Sequence, residues 1–470
     1  MRFTLEKLYT ILDTTNTVIL TMFGVAFMLQ LFYLLLFFLP GRKYKKADKQ
    51  HRFGILICAR NEESVITETI RCLLDQNYPR ELFDIFVIAH NCTDNTAGIA
   101  RSLGAIVFEE TDTDPKHHKV SYALKAMFDR ILKEYDNYDA FIRFDADSFM
   151  RPNYIDLMND ALSSGAKLAR GYSHSKNLTE NIVSGISGLW YIRDSRFNCH
   201  ARSVLRLGQL MNGSGMMISS EIIHKNGGWI DMGITEDADF TISELNKGTK
   251  AHYVKDAVLY EDQPTTVKDT FVRNTRIGRG LNKTFWKHGT RSLLKFFTTF
   301  KFTYLDMFIT EFFIPIALIA VLWLPAFYIY AITYNSVIGD VARLVLIGKT
   351  AGYALAFAFA APFIVQAILV YFLDRKKINA SFFKLLPSML LFPFFMIVYA
   401  LGIVFGILSK TKWKAVGRSK YITYDEFKVK FNFDSYKNNN DDTNGDIKKK
   451  TKIKVSKPKE KIKTTHMVNL

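Results

Sequence analysis

Two carboxylates close an apolar run in this sequence, Phe141-Ile-Arg-Phe-Asp-Ala-Asp-Ser148. The run, bounded by Asp139 and Asp147, reads as a short buried strand with Asp145 and Asp147 at its end. Ligands of open α/β sheets bind beyond the carboxyl ends of strands, which is where both side chains project. Two hard oxygen ligands suit Mg²⁺ or Mn²⁺, whose remaining ligands come from water and substrate phosphates. A bare Asp-x-Asp is also an ordinary turn or cap; the strand before it and the carboxylates after it favour a site. Those carboxylates are Glu236 and Asp237, in Thr235-Glu-Asp237. Thr235 is placed to cap a helix that begins with them, and the helix start is expected to hold Asp237 ionised at neutral pH. Acidic residues there are ordinary dipole partners, and equally a carboxylate in a cleft is a general base for a hydroxyl. Both readings stand on this segment alone.

The elements that must position these groups recur along the middle of the chain. Phe53 to Cys58 reads as a strand, Ala59 to Ser64 as a polar loop, and Val65 to Leu74 has helical spacing. A second strand, Phe83 to Ala89, runs into His90-Asn-Cys-Thr-Asp-Asn-Thr96, where another helix can begin. Strand, loop and helix in alternation predict a parallel sheet with crossover helices. Asn61, Glu62 and Asp94 then share an edge with Asp145 and Asp147, either as ligands or as helix caps. Gly213 and Gly215, flanking Ser214 before another apolar strand, mark a turn where a ligand or backbone approaches closely.

Seven stretches together carry a family resemblance: Ala59-Arg-Asn-Glu62, Asn91-Cys-Thr-Asp-Asn-Thr-Ala97, Asp145-Ala-Asp147, Ser175-Lys-Asn177, Asn212-Gly-Ser-Gly215, Thr235-Glu-Asp237 and Tyr260-Glu-Asp-Gln-Pro-Thr-Thr266. In order and spacing the chain resembles the membrane-bound family 2 glycosyltransferases, which include synthases of cellulose, hyaluronan and poly-N-acetylglucosamine. The resemblance implies an α/β GT-A type nucleotide-sugar-binding domain inserted between transmembrane helices, a nucleotide-sugar donor, most often UDP-linked, and an inverting single displacement. It implies donor contacts from Ala59, Arg60, Asn61, Glu62, His90, Asp94, Lys119, Asp145, Arg276 and Arg279. Asp147, with Asp145, would hold a divalent cation at the diphosphate. Asp237, beside Glu236, would be the catalytic base, and Gly213, Ser214 and Gly215 would meet the acceptor.

Two positions depart from the family pattern. His90 stands where a carboxylate often meets the uracil. Arg273-Asn-Thr-Arg-Ile277 replaces the Gln-x-x-Arg-Trp of processive members, keeping Arg276 but losing the Trp that would stack on an acceptor sugar. Arg276 and Arg279 would meet the diphosphate, or else form a basic helix end beside a membrane.

The 470 residues are 49% hydrophobic and 14% aromatic, with a net charge of +17 and aromatic residues gathered in uncharged runs near both ends. That distribution marks an integral membrane protein. Val18 to Leu39 is long enough to span, and Arg42, Lys43, Lys45 and Lys46 after it place the next segment in the cytoplasm. Cys58, Cys72, Cys92 and Cys199 have no CxxC spacing, in keeping with a reducing compartment. The expected domains are a transmembrane helix and basic flank at 1–50, a cytoplasmic catalytic domain at 51–290, membrane helices at 291–411 and a basic, largely disordered tail at 412–470. Within the third, Leu293 to Tyr304 reads as one amphipathic interfacial helix. Phe312 to Tyr334, Thr350 to Leu373 and Leu385 to Ser409 read as spans, with Pro387 and Pro393 kinking or flattening the last. Lys412-Trp-Lys-Ala-Val-Gly-Arg418 resembles the family's gating segment, with Gly417 in place of Thr. Nine lysines between Lys448 and Lys463 follow, suited to an anionic leaflet.

Three functions compete on this sequence. The favoured one extends a β-linked polysaccharide in a multi-pass cell-membrane protein; the second glycosylates a lipid acceptor; the third is an inactive membrane scaffold, which retention of Asp145, Asp147, Asp237 and Arg276 opposes. The expected partners are the nucleotide-sugar, a glycan or lipid acceptor and membrane lipids, with room for an accessory membrane subunit. Nucleic acid is not expected, since no binding motif for it is present.

Overall fold

The computed structural model describes residues 2–409 and 420–436, apart from 136, 354, 355 and 357–359. The gating-like segment at Lys412 to Arg418 and the lysine-rich stretch from Lys448 lie outside the described residues.

Apolar runs form strands β1 Phe53–Ala59, β2 Phe83–His90, β3 Ile106–Glu110, β4 Ala140–Asp145, β5 Phe149–Met150, β6 Leu168–Ser175, β7 Met216–Ser219 and β8 Ala251–Glu261. They join in one sheet ordered β3-β2-β1-β4-β7-β6-β8-β5. The first four run parallel, β7 is antiparallel to both of its neighbours, and β6 and β8 are parallel. Side chains alternate across the sheet, so β1 sends Ile55 and Ile57 to one core and Leu56 to the other. Burial on both faces is why these strands read as continuous apolar runs. The chain leaves β1 toward β2 on one side and returns to β4 on the other. The carboxyl ends of β1 and β4 therefore flank a switch point, where such sheets bind ligands.

The sheet is covered by helices α2 Ile66–Leu74, α3 Thr96–Ser102, α4 Val120–Glu134, α5 Tyr154–Ser163, α6 Ile182–Arg193, α7 His200–Val204, α8 Ser220–Asn226 and α9 Glu236–Asn246, after a first helix α1 Arg2–Leu35. Beyond them come α10 Val267–Thr299, α11 Phe302–Ile338, α12 Val341–Tyr353, α13 Ala361–Leu373, α14 Arg375–Ile378, α15 Phe382–Leu408 and α16 Tyr424–Lys430. Among the described residues, one helix is long and apolar enough to cross a membrane. It is α15, with a mean hydropathy of 2.5 over its most apolar window, 44% of which is buried. Pro387 and Pro393 lie inside this single helix. It meets α10 through glycines: a Cβ on Gly278 would come within 2.5 Å of Ile403 Cα, and one on Gly406 within 2.0 Å of the Thr275 carbonyl oxygen.

Three expectations change here. The helix expected from Leu293 to Tyr304 is broken at Phe300, which takes a left-handed backbone (φ 51°) and ends α10. Tyr304 falls in α11 and is buried with Ile242, Leu245 and Met307, so packing onto α9 replaces an interfacial position. α10 also runs through the boundary expected at 290. Finally, part of the tail expected at 412–470 is folded, at residues 420–436. Thr423 and Glu426 form a capping box on α16, and Phe427 packs against Phe149, Tyr260, Phe431 and Phe433. Aromatic burial offsets the ordering entropy of this segment.

Candidate active site

Strand β4 delivers Asp145 to the switch point with its side chain 47% exposed. Two residues earlier, Arg143 is 5% exposed, a charge inside an apolar strand. Its Nη1 donates to Glu236 Oε1 at 2.8 Å and its Nη2 to Asp145 Oδ1 at 3.2 Å. One buried guanidinium thus ties the end of β4 to the start of α9. A buried charge needs such partners, because desolvation penalises it heavily.

This pairing separates the two acidic residues of α9. Glu236 turns inward to Arg143 and is buried. Burial pushes its carboxyl up, Arg143 opposes the rise, and the charges of Asp237 and Asp145 add to it. Asp237 stays half-buried, with the Ala238 N–H donating to its Oδ1 at 2.9 Å. The expectation that the helix start depresses Asp237 is overturned: burial raises it, with Arg143 and the Ala238 N–H working the other way. Thr235 does not cap α9 through its side chain. Its hydroxyl oxygen is buried without a hydrogen bond because the residue is pressed against α10, where a Cβ on Gly280 would sit 2.4 Å from Thr235 Cγ2.

Gly213, Ser214 and Gly215 pack against this clamp. A Cβ on Gly213 would stand 3.0 Å from the Arg143 guanidinium, so the glycine makes room for it. Gly215 has φ 72° and accepts from Tyr154 Oη at 2.6 Å. Ser214 is buried; its Oγ accepts from the Asp145 N–H at 3.1 Å and pairs with Ser148 Oγ at 2.8 Å. The Ser214 hydroxyl, expected to meet the acceptor, is thus engaged inside the fold.

The loops after β1 and β2 are laced together. Asn61 and Asn91 both adopt positive φ (57° and 55°), which asparagine tolerates. The Thr93 N–H donates to Asn61 Oδ1 at 2.8 Å, and the Glu62 N–H to Thr96 Oγ at 2.8 Å. Asp94 accepts from the Glu63 and Thr96 N–H groups, both at 3.1 Å, so its carboxylate braces the two loops. Ala59 ends β1, and Arg60 beside it reaches His118 Nδ1 at 3.3 Å. His90 ends β2 and is buried; burial, with His118 and Arg60 nearby, holds it below the ordinary histidine range. Lys119 precedes α4 as its N-terminal cap residue. Burial lowers its pKa, and the charges of Lys283 and Arg279 on α10 lower it further. Arg276 lies on the same helix, half-buried near Tyr191.

Three contributors had no role assigned on the sequence. Arg143 was visible as a lone charge in an apolar strand, a signal that a partner must exist. Glu261 closes β8 as Asp145 closes β4; its Oε2 is buried without a hydrogen bond. Burial, with the charges of Asp145 and Asp147, pushes Glu261 up to about 8. Lys176 follows a strand buried along its whole length and donates from Nζ to the Asp147 carbonyl oxygen at 2.7 Å, holding the loop that carries Asp147. Asp145, Asp147 and Glu261 are thus three carboxylates in electrostatic range of one another, the ligand type that hard divalent cations take, although their oxygens do not all lie within 4.8 Å of one another in this structure. A second acidic cluster, Asp231, Asp239 and His288, is held by cations: Lys287 Nζ lies 2.9 Å from each aspartate and His288 Nε2 2.9 Å from Asp239, while Asp231 Oδ2 is buried without a hydrogen bond.

Comparison with known proteins places this arrangement. Residues 51–280 match the family model described as "Glycosyltransferase like family 2". The chain is 27% identical over 242 residues to the probable glycosyltransferase YdaM of Bacillus subtilis (strain 168), covering 49% of this chain and 55% of that protein. It is 31% identical over 173 residues to a 4,4'-diaponeurosporenoate glycosyltransferase of Staphylococcus aureus (strain USA300), covering 34% and 44% respectively. The matched stretches therefore span about half the length of these relatives. In fold, the chain is similar to the mannosyltransferase PcManGT from Pyrobaculum calidifontis in complex with GDP-Man and Mn2+, with a TM-score of 0.52, 14% identity, and coverage of 79% of this chain and 98% of that one. The GT-A-like sheet, the carboxylates at its switch point and the family match agree: residues 51–280 are similar to glycosyltransferases of family 2.

Proposed function

We propose that the chain moves a glycosyl residue from a nucleotide-sugar donor to a hydroxyl of a lipid-type acceptor at a membrane surface, inverting the anomeric carbon. The observation that carries this reading is the Arg143 clamp. It takes Glu236 into the fold and leaves Asp237, the neighbouring carboxylate, half-exposed at the same strand end as Asp145. Asp237 then accepts the acceptor proton as the new bond forms, and Asp145 orients the donor. Attack from the side opposite the leaving diphosphate inverts the sugar without a covalent enzyme intermediate. Asp147, Asp145 and Glu261 would hold Mg²⁺ or Mn²⁺, which when bound stabilises charge on the departing diphosphate. Lys119, Arg279 and Lys283 add positive charge on the facing side. A lipid-type acceptor is supported by the diaponeurosporenoate relative and by Ile277, which offers no ring for a sugar to stack on.

We place the catalytic domain on the cytoplasmic face, beside α15 and the other apolar helices. A second reading, extension of a β-linked polysaccharide, is favoured by the direct backbone packing of α15 on α10, which joins the catalytic domain to a membrane-length helix. Purified protein in lipid, offered UDP- and GDP-sugars with diacylglycerol, polyprenyl phosphate or oligosaccharide, separates the two by product mass. Single additions to lipid support the first reading and long chains the second. Asp237→Asn should slow transfer by about 10²–10⁴-fold while donor binding persists. Transfer at the wild-type rate by that variant would remove Asp237 as the base.

A further inference from the structure

Away from the sheet edge, a cleft of about 460 Å³ opens where the chain leaves α1 and passes over α7. Its floor is tightly built. Gly41 runs against the His200 ring, where a Cβ would sit 3.1 Å away, and the Arg42 N–H donates to Ser203 Oγ at 2.9 Å. At the far end Arg206 takes a left-handed backbone (φ 56°), which ends the α7 turn and turns its side chain out to solvent. Lys250 donates to the Arg206 carbonyl oxygen at 2.8 Å, and Lys301 stands at the start of α11.

The charge here is one-sided. Lys250 feels Arg42, Lys301 and Arg206, all cations. Arg42, Lys43, Arg206, Lys250 and Lys301 form no ion pair among the described residues, whereas Lys46 and Lys49 nearby are paired to Asp156 and Asp139. Like charges from four separate segments, held together without a carboxylate, are an unsatisfied demand for an anion.

The surroundings say which anion. Large apolar side chains flank the cleft in the chain on both sides: Phe38 is 76% exposed just before it, and Phe300 is 79% exposed beside Lys301. Leu35, Leu39 and Phe297 are exposed as well. The two flanks are held in register by a buried triad, in which Arg202 Nε donates to Asp306 Oδ2 at 2.8 Å and Tyr33 donates to Asp306 Oδ1. Basic groups beside exposed aromatics are the pattern of a membrane–water boundary. We propose that this cleft binds the phosphate of an anionic lipid headgroup, with Arg42, Lys43 and Arg206 in its walls and Lys250 and Lys301 adding positive charge from behind them. The site is separate from the donor site and does not depend on the sugar-transfer reading.

Native mass spectrometry of the full chain in neutral detergent, titrated with phosphatidylglycerol, phosphatidylcholine or inorganic phosphate, tests the site. Wild type should retain one phosphatidylglycerol saturably and leave phosphatidylcholine unbound. Taking roughly fivefold per basic residue near an anionic surface, R206Q/K250Q should bind phosphatidylglycerol about 25-fold more weakly, and R42Q/K301Q, altered on different segments, should lose a similar factor. K46Q/K49Q changes charge by the same amount where the lysines are already paired, and should stay within about twofold of wild type, as only the unpaired cations carry the effect. Equal retention by R206Q/K250Q and wild type, or equal loss in K46Q/K49Q, overturns the proposal. So does displacement of phosphatidylglycerol by equimolar inorganic phosphate, which would make this a site for free anions.

Discussion

Replacing Arg143 with methionine deletes the guanidinium that meets Glu236 at 2.8 Å and Asp145 at 3.2 Å, while keeping apolar bulk suited to the strand. Asp145 is 47% exposed, so water screens its share of the pair. Glu236 is buried and bears the penalty. Removing one partner of a buried pair costs about 3–5 kcal/mol. At about 2–4 °C per kcal/mol for a domain of this size, the melting temperature should fall by about 6–20 °C at pH 8. The pH dependence has a definite sign. Burial raises Glu236 and Arg143 opposes that rise, so loss of Arg143 lifts it further. A carboxyl whose pKa is raised in the fold gives up its proton on unfolding; its contribution is complete below the ordinary glutamate pKa and is lost as pH climbs through the raised value. R143M should therefore suffer least near pH 5 and most near pH 8. R143M/E236Q, which removes the orphaned charge, should recover at least half of the loss. Thermal unfolding followed by intrinsic fluorescence at both pH values measures all three proteins. R143M within about 1 kcal/mol of wild type at pH 8, or a double variant no more stable than R143M, would refute the reasoning.

Asp147→Asn should weaken donor binding in Mg²⁺ or Mn²⁺ with the fold unchanged, read by titration calorimetry, and wild-type transfer should stop in excess chelator; full turnover there would sink the metal assignment. Gly406→Ala puts a methyl group 2.0 Å from the Thr275 carbonyl oxygen and should destabilise by about 1–3 kcal/mol. Gly348→Ala, with nothing within 4 Å of its Cβ, is the matched control and should leave the melting temperature unchanged or slightly raised. Phe427→Ala empties a fully buried position against Phe149 and Tyr260, and should cost about 3–5 kcal/mol and expose residues 420–436 to limited proteolysis.

Much of the architecture was legible in local pattern. Short continuous apolar runs marked β1, β2 and β4, helical spacing marked α2, and Asp145 could be placed at a strand end, because apolar runs and helical spacing are properties of neighbouring residues. The division of labour between Glu236 and Asp237 was not. Two adjacent carboxylates look alike in a sequence, and what separates them is Arg143, 93 residues away in the chain. The glycines around Ser214 were readable as a close approach, but only the fold says that the approaching group is Arg143. The sign of the Asp237 shift also reversed, since a helix start is local whereas the desolvation that outweighs it comes from everything packed around the site. The turn at Phe300 and the docking of Phe427 were hidden for the same reason. Covalent neighbours determine periodicity and chain direction; burial, ion pairing and ionisation are set by residues that meet only when the chain has folded.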